Sequence, residues 1–146
     1  EYKLAVAESV TSGLLQVLFS TMKEAGLFYH GGITTYCCEM KHKHLHIPLA
    51  SCEPTTGVDK LITEKMARNI CGLFNAHVGL AITGFASPIP EQEIYEKVAY
   101  ASIYVNGKLL ASEKILSKEK EQLAVQMDFA EQLIKLFVQC IGRFSN

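Results

Sequence analysis

Four side chains that could take part in hydrolysis stand where apolar runs give way to polar residues. Ser9 follows "AVAE", Tyr36 and Lys41 follow "GGITT", and Thr83 ends "VGLAIT". A serine attacks a carbonyl carbon when a neighbouring base takes its proton. A lysine can be that base once burial or a nearby positive dipole has lowered its pKa from about 10.4. Together, these residue types are compatible with nucleophilic catalysis.

Each of these residues also has a plain structural interpretation. Ser9, Thr11 and Ser12 can cap the helix expected after them. Lys41 can be a surface lysine, and Gly84 can simply let the chain leave its strand at positive φ. However, ligands of open α/β sheets bind at the carboxyl ends of strands, and the first turn of a helix offers free N–H groups. The residues alone leave both interpretations open.

Hydrophobic periodicity predicts the elements that must position these side chains. Short apolar runs indicate strands, 3.6-residue periods indicate helices, and Asn106-Gly107 indicates a β-hairpin between two strands. The order predicts an α/β fold in residues 1–146: a three-layer α/β/α sandwich with a mostly parallel sheet and one antiparallel hairpin. The predicted strands are 3–8, 31–36, 78–83 and the two hairpin arms, and the predicted helices are 12–25, 38–45, 59–75 and 118–141.

Composition narrows the functional classes. The chain has 146 residues, of which 49% are apolar, and a net charge of −1. These values disfavour disorder and a nucleic-acid-binding surface, and no apolar run reaches the roughly 18 residues that span a bilayer. Five cysteines without a CxxC motif predict reduced thiols and a cytoplasmic protein.

The segment "KHKHLH" carries three histidines, His42, His44 and His46. Residues two apart on a helix point to different faces, so these side chains do not converge in a helical segment. We therefore expect no metal site here.

Several motifs together resemble the CinA C-terminal domain family, the nicotinamide mononucleotide amidohydrolases, over nearly the whole chain. The family's A-E-S-C-T-G-G is similar to residues 7–13, its G-x-x-T-Y-x-x-x-x-K to residues 32–41, its G-A-V-S to 57–59, and its [TS]-G-I-A-G-P to 83–88. The resemblance implies a single domain of this family over residues 1–146.

The resemblance also implies a function. It makes Ser9 the nucleophile and Lys41 its base, with Tyr36 orienting or relaying the proton and Thr83 helping to hold the lysine or the substrate. The reaction implied is deamidation of nicotinamide mononucleotide to nicotinate mononucleotide and ammonia, within pyridine nucleotide salvage. The family implies no metal, no cofactor and often a homodimer, and it links its members to competence and DNA damage. The matching positions imply substrate contacts from Thr11, Ser12, Gly13, Gly84 and Lys120.

The sequence departs from the family pattern around the expected substrate. The paired glycines become Ser12-Gly13, A-G-P becomes Ala86-Ser87-Pro88, and an expected arginine becomes Lys120. Lysine does not replace arginine at a bidentate phosphate or carboxylate contact. Three hypotheses follow: an active pyridine-nucleotide amidohydrolase, an amidase with another substrate, and a degenerate domain that binds a nucleotide or a partner without turnover.

Overall fold

The structure, a computed structural model, describes residues 1–144 and has eleven helices and strands there besides two short 3₁₀ turns. The strands are β1 Leu4–Glu8, β2 Tyr29–Thr34, β3 Val78–Gly84, β4 Val98–Val105 and β5 Lys108–Leu116. The helices are α1 Leu14–Ser20, α2 Ala25–Phe28, α3 Cys38–Leu45, α4 Leu49–Cys52, α5 Lys60–Phe74 and α6 Gln122–Phe144.

The five strands form one mixed sheet in the order β2-β1-β3-β4-β5. β1 runs parallel to β2 and β3, whereas β3–β4 and β4–β5 are antiparallel. The prediction of a mostly parallel sheet with one antiparallel hairpin is therefore wrong in this detail. The chain passes from β3 to β4 through a loop at residues 85–97 that contains no crossover helix, and such a helix is the usual way to return a strand in the parallel sense.

Two apolar clusters cover the two faces of this sheet, so the helices form layers on both sides. Along β1, Leu4 and Val6 belong to the cluster with α1 and α6, and Ala5 and Ala7 belong to the cluster with α3 and α5. This alternation follows from the two-residue period of a strand. The small side chains of β1 allow α5 to pack closely on the centre of the sheet.

The predicted helix 12–25 is shorter in the structure, where α1 begins at Leu14 and ends at Ser20. Its N-cap is Gly13, which has a φ of 100° and makes no side-chain capping bond, so the expected cap from Thr11 or Ser12 is wrong. By contrast, Asp59 caps α5 as its sequence position suggests, accepting from Leu61 N and Ile62 N. No helix in residues 1–144 is long and apolar enough to cross a membrane.

The prediction that all five cysteines are reduced is also wrong. Cys38, in the first turn of α3, forms a disulfide with Cys52 at the end of α4, with Cα atoms 5.7 Å apart. Cys37, Cys71 and Cys140 are free. The bond joins two short helices that fold back on each other after Pro48, a proximity that the spacing of the cysteines does not reveal.

Candidate active site

Ser9 and Lys41 meet beyond the carboxyl end of β1. Lys41 Nζ lies 3.0 Å from Ser9 Oγ, although the two residues are 32 positions apart in the chain. Ser9 occupies the first position after β1, and its backbone N–H still bonds to Ile82 O of β3 at 3.1 Å. Lys41 projects from the first turns of α3 toward it. The distance is that of a nucleophile and its general base.

The ammonium group of Lys41 is buried, with 0% of the residue exposed. Burial lowers the pKa of Lys41 from 10.5 to about 8, and the nearby Cys37 opposes this change. Nζ also donates to the carbonyls of Thr35 at 2.8 Å and Tyr36 at 3.3 Å. In the neutral amine those two carbonyls take both N–H groups, which leaves the lone pair for the proton of Ser9.

The carboxylate of Glu8 organises the turn that carries Ser9. It is fully buried and accepts hydrogen bonds from Leu15 N at 2.9 Å, from Gln16 N at 3.0 Å and from the hydroxyl of Thr11. Glu8 thus accepts hydrogen bonds from N–H groups at the start of α1 that have no partner within the helix, and these groups belong to residues seven and eight positions further along the chain. A negative charge at a helix N-terminus is favourable, which explains how this carboxylate is tolerated in the core.

Tyr36 contacts the pair through its backbone. Its carbonyl accepts from Lys41 Nζ and, at 3.4 Å, from Ser9 Oγ. The side chain is 70% exposed and lines the cavity beside Ser9. Among the described residues no hydrogen bond joins its hydroxyl to Ser9 or Lys41, so the arrangement gives no support to the expected proton relay.

Thr83 lies beneath the pair and is almost completely buried. Its hydroxyl donates to Gly57 O at 2.8 Å. Gly57 has a φ of 80°, and a Cβ atom there would lie 3.2 Å from both Lys41 Cε and Cys52 Sγ. Thr83 therefore holds the segment that packs against the stem of Lys41, which is an indirect form of the expected contact with the lysine.

A cavity of about 450 Å³ opens in front of Ser9. Two faces bound it, one from the segment after α4 and the other from the loop after β3 together with the start of α6. The lining residues are Ser9, Val10, Tyr36, Cys37, Cys38, Glu53, Thr56, Val58, Gly84, Phe85, Ala86, Ser87, Ile89, Gln92, Gln122 and Gln126.

Of the five residues expected to bind substrate, only Gly84 lines this cavity. Thr11 is buried and bonded to Glu8, which is a structural role. Ser12 and Gly13 form the left-handed turn before α1, and neither lines the cavity. Lys120 is exposed and also lies outside the lining. The structure thus places these last four residues outside the lining of the cavity, and their contacts with a substrate remain predictions.

The three histidines of "KHKHLH" do not form a cluster with other metal-ligating residues. His42 and His44 lie on α3 and His46 follows its end, and the Nδ1 atom of His42 is 2.9 Å from Ile47 O. In residues 1–144 no group of three or more His, Cys, Asp or Glu side chains could hold a metal ion.

Sequence reasoning assigned no role to Glu8, Gly57 or Glu53. Glu8 and Gly57 lie within the segments 7–13 and 57–59 that resemble family motifs, and an acidic residue just before a small-residue turn can cap the following helix. Glu53 had no signal, because its position depends on how α4 and the following turn pack against α3.

Comparisons with known proteins show which sequences and folds this chain resembles. The family model of the CinA C-terminal domain matches residues 1–141. A CinA-like protein of Dictyoglomus thermophilum is 27% identical over 123 residues, covering 82% of this chain and 29% of that protein. A CinA-like protein of Amoebophilus asiaticus is 35% identical over 85 residues, covering 58% of this chain and 20% of that protein. The chain thus spans less than a third of the length of these relatives.

Solved structures share the fold. The competence damage-inducible protein A of Klebsiella pneumoniae superposes with a TM-score of 0.89 at 18% identity, covering 97% of this chain and 87% of that one. A CinA superfamily protein of Enterobacter cloacae gives 0.83 at 24% identity, covering 95% and 82%. At these identities the likeness concerns the architecture alone.

Proposed function

The chain belongs to the CinA C-terminal domain family, and on that premise we propose that it is an amidohydrolase with a Ser9–Lys41 pair. The observation that carries the proposal is the 3.0 Å contact between Ser9 Oγ and the buried Nζ of Lys41 at the edge of an open cavity. A buried amine with a lowered pKa is the state in which a lysine can act as a base.

In the first half of the reaction, Ser9 Oγ attacks the carbonyl carbon of a carboxamide and passes its proton to the neutral Lys41 Nζ. The amide oxygen takes the negative charge of the tetrahedral intermediate. The N–H of Val10 is a suitable donor for that oxygen. It follows Ser9 directly, belongs to a residue that lines the cavity, and makes no hydrogen bond within the described residues.

In the second half, Lys41 returns the proton to the leaving nitrogen, the C–N bond breaks, and ammonia departs. Ser9 then carries an acyl ester. Water attacks this ester while Lys41 again takes a proton, and the acid product leaves as Ser9 regains its hydrogen. Positive charge on Lys41 is tolerated in the intermediate because the carbonyls of Thr35 and Tyr36 accept its N–H groups.

Nicotinamide mononucleotide is the first substrate to test, because the family resemblance implies it. A homodimer, independence from metals and cofactors, and a cytoplasmic location remain predictions from the sequence. The relatives are more than three times as long as the matched segment, so activities of their other parts are not assigned to this chain.

The test is ammonia release by the purified chain from a panel of carboxamides: nicotinamide mononucleotide, nicotinamide riboside, nicotinamide and simple aliphatic amides. We expect release from at least one of them and none above background from Ser9→Ala. A folded wild-type chain that releases no ammonia from any of them would contradict the proposal and favour a binding domain without turnover.

A further inference from the structure

Gln126 lies between the turn that carries Ser9 and the cavity. It projects from the second turn of α6, is half-buried, and lines the cavity together with Val10. Its Nε2 donates to Val10 O at 2.9 Å. Because Val10 directly follows Ser9 in the chain, this bond holds the amide group of Gln126 one residue from the nucleophile.

The bond to Val10 fixes the orientation of the Gln126 amide. A carbonyl oxygen only accepts hydrogen bonds, so the NH2 end of the side chain must face Val10 O, and Oε1 is left on the other side of the amide group. In residues 1–144 this Oε1 has no hydrogen-bond partner, and it is accessible to solvent. Since Gln126 is part of the cavity lining, its Oε1 is an oriented acceptor without a partner beside the nucleophile.

The leaving group of a primary carboxamide supplies the donor that such an acceptor needs. Its NH2 carries N–H donors, whereas the leaving oxygen of an ester has none. The N–H of Val10 is the donor proposed above for the amide oxygen, and the carbonyl of Val10 is the group that orients Gln126. The oxygen and the nitrogen of the scissile amide can therefore be recognised by two groups that are both held at Val10.

We propose that Gln126 is a specificity-determining residue, whose Oε1 accepts a hydrogen bond from the leaving NH2 group and so selects a primary carboxamide over an ester. The inference rests on the proposed function and names the group that recognises its leaving nitrogen. After hydrolysis the acid product carries a carboxylate, which has no N–H to donate and whose negative charge is repelled by Oε1. Gln126 therefore favours the amide over the product as well.

Two compounds that differ only in the leaving group test this assignment. Nicotinamide mononucleotide and the methyl ester of nicotinate mononucleotide share the pyridinium ring, the ribose and the phosphate. The measured quantity is the ratio of their kcat/KM values, amide over ester. Esters react faster than amides with a serine nucleophile, so the informative result is the change in this ratio between wild type and variant. Damage to the Ser9 turn or to Lys41 affects both compounds and cancels from the ratio.

Gln126→Met keeps the length of the side chain and removes both of its polar ends. We expect it to lower the amide-to-ester ratio by about tenfold, the effect of losing one neutral hydrogen bond. Gln126→Glu keeps an acceptor oxygen but loses the donor to Val10 O, so it should lower both rates and hold the ratio near the wild-type value.

Gln132→Met is the matched control. Gln132 lies on the same helix, and its Nε2 donates to Leu116 O at 2.9 Å outside the lining of this cavity. Its replacement removes the same kind of hydrogen bond from α6, and we expect the amide-to-ester ratio to stay at the wild-type value.

Where the wild-type chain hydrolyses the amide, a ratio that Gln126→Met leaves unchanged would overturn the assignment. A ratio that falls as far in Gln126→Glu as in Gln126→Met would also overturn it, because the effect would then come from the bond to Val10 O and not from Oε1.

Where the wild-type chain hydrolyses no amide, which would contradict only the proposed function, calorimetric binding to Ser9→Ala decides. We expect nicotinamide mononucleotide to bind about tenfold more tightly than the methyl ester, and this difference to disappear when Gln126→Met is added. Equal affinity for the two compounds, or binding of neither, would overturn the inference.

Discussion

The site has a buried floor and an exposed wall, and the two differ in how their residues are held. The floor consists of Glu8, Ser9, Lys41 and Thr83, all at most 5% exposed and each hydrogen-bonded to another part of the chain. The wall consists of Glu53, Phe85, Ser87, Gln92 and Gln122, which are exposed or half-buried. The floor residues lie in the segments that resemble the family's motifs, whereas in the wall Phe85 and Ser87 differ from the family's pattern at residues 83–88.

Under the proposed function, this difference assigns the chemistry to the floor and the choice of substrate to the wall. Each polar group of the floor has hydrogen-bond partners. Removing one member of such a pair would leave the other buried and unpaired, which costs free energy of folding. The wall residues lie on loops and on the first turn of a helix, where changes cost little stability. Changes in the floor are therefore expected to affect the rate on every substrate, and changes in the wall to affect the ratio between substrates.

The largest expected effect comes from the floor itself. Ser9→Ala and Lys41→Ala should each lower kcat/KM by at least about a thousandfold, and the double variant should be hardly worse than either, because the pair acts as a unit. Thermal unfolding of Ser9→Ala should change little. Lys41→Met fills the space of the lysine stem and should be as inactive as Lys41→Ala.

Ser20→Ala, which removes an exposed hydroxyl of α1, serves as the control and should keep the wild-type rate. Losses that multiply in the double variant would mean that Ser9 and Lys41 act independently, and the floor would not be a catalytic unit.

The next effect concerns the Cys38–Cys52 disulfide, which lies between floor and wall. Cys52 directly precedes Glu53 of the wall, and its Sγ lies near Gly57, which also packs against Lys41 of the floor. Cross-linking a loop of about 15 residues stabilises a fold by about 3 kcal/mol in the chain-entropy model. Cys38→Ser with Cys52→Ser should lower the free energy of unfolding by about that amount, as measured by urea denaturation.

Cys140→Ser, which removes a free thiol, should have a much smaller effect on unfolding. The denatured wild-type chain should show three reactive thiols when no reductant has been added. Five reactive thiols would show that the bond does not form in the protein as purified.

The dependence of the rate on pH is a smaller effect, and it should depend on the floor and not on the wall. With the pKa of Lys41 lowered to about 8, the base is mostly protonated at pH 7 and cannot take the proton of Ser9. We therefore expect kcat/KM to rise with pH by about tenfold per pH unit below 8 and to level off above it. At pH 7 the activation free energy is expected to be about 1.4 kcal/mol higher than on the plateau at high pH.

Glu53→Gln should leave the midpoint of this profile unchanged when a neutral amide is the substrate, because Glu53 belongs to the wall. A rate that is independent of pH between 6 and 9 would argue against Lys41 as the base.

The smallest expected effect is that of a chelator. EDTA should leave ammonia release unchanged, and the triple replacement of His42, His44 and His46 by alanine should do the same, because these residues belong to neither region. Activity that is lost in EDTA and restored by zinc would contradict this prediction, because it would show that a metal ion takes part in the reaction.

Features set by neighbouring residues could be predicted from the sequence. Asn106-Gly107 forms the tight turn between β4 and β5, and Cys38–Leu45 is helical as expected. The helix predicted to begin at Asp59 begins at Lys60, with Asp59 as its cap. In each case the residue types act within a few positions, and the tertiary structure does not oppose them.

Features set by distant packing could not be predicted in the same way. The caps of α1 come from Glu8 rather than from Thr11 or Ser12, because a longer side chain at the end of a buried strand reaches the free amides first. The Cys38–Cys52 bond and the position of Glu53 depend on how α4 folds against α3. The motifs of the floor could be matched residue by residue, but the composition of the wall needed the structure.

The turn that carries Ser9 is closed by a residue far along the chain. Gln126 of α6 donates to Val10 O at 2.9 Å across 116 positions, and Lys41 reaches Ser9 across 32. Contacts between such distant positions form late, because the loop between them must close first. During synthesis, Ser9 leaves the ribosome before α6 does, so the contact from Gln126 that completes its turn can form only after α6 has been made.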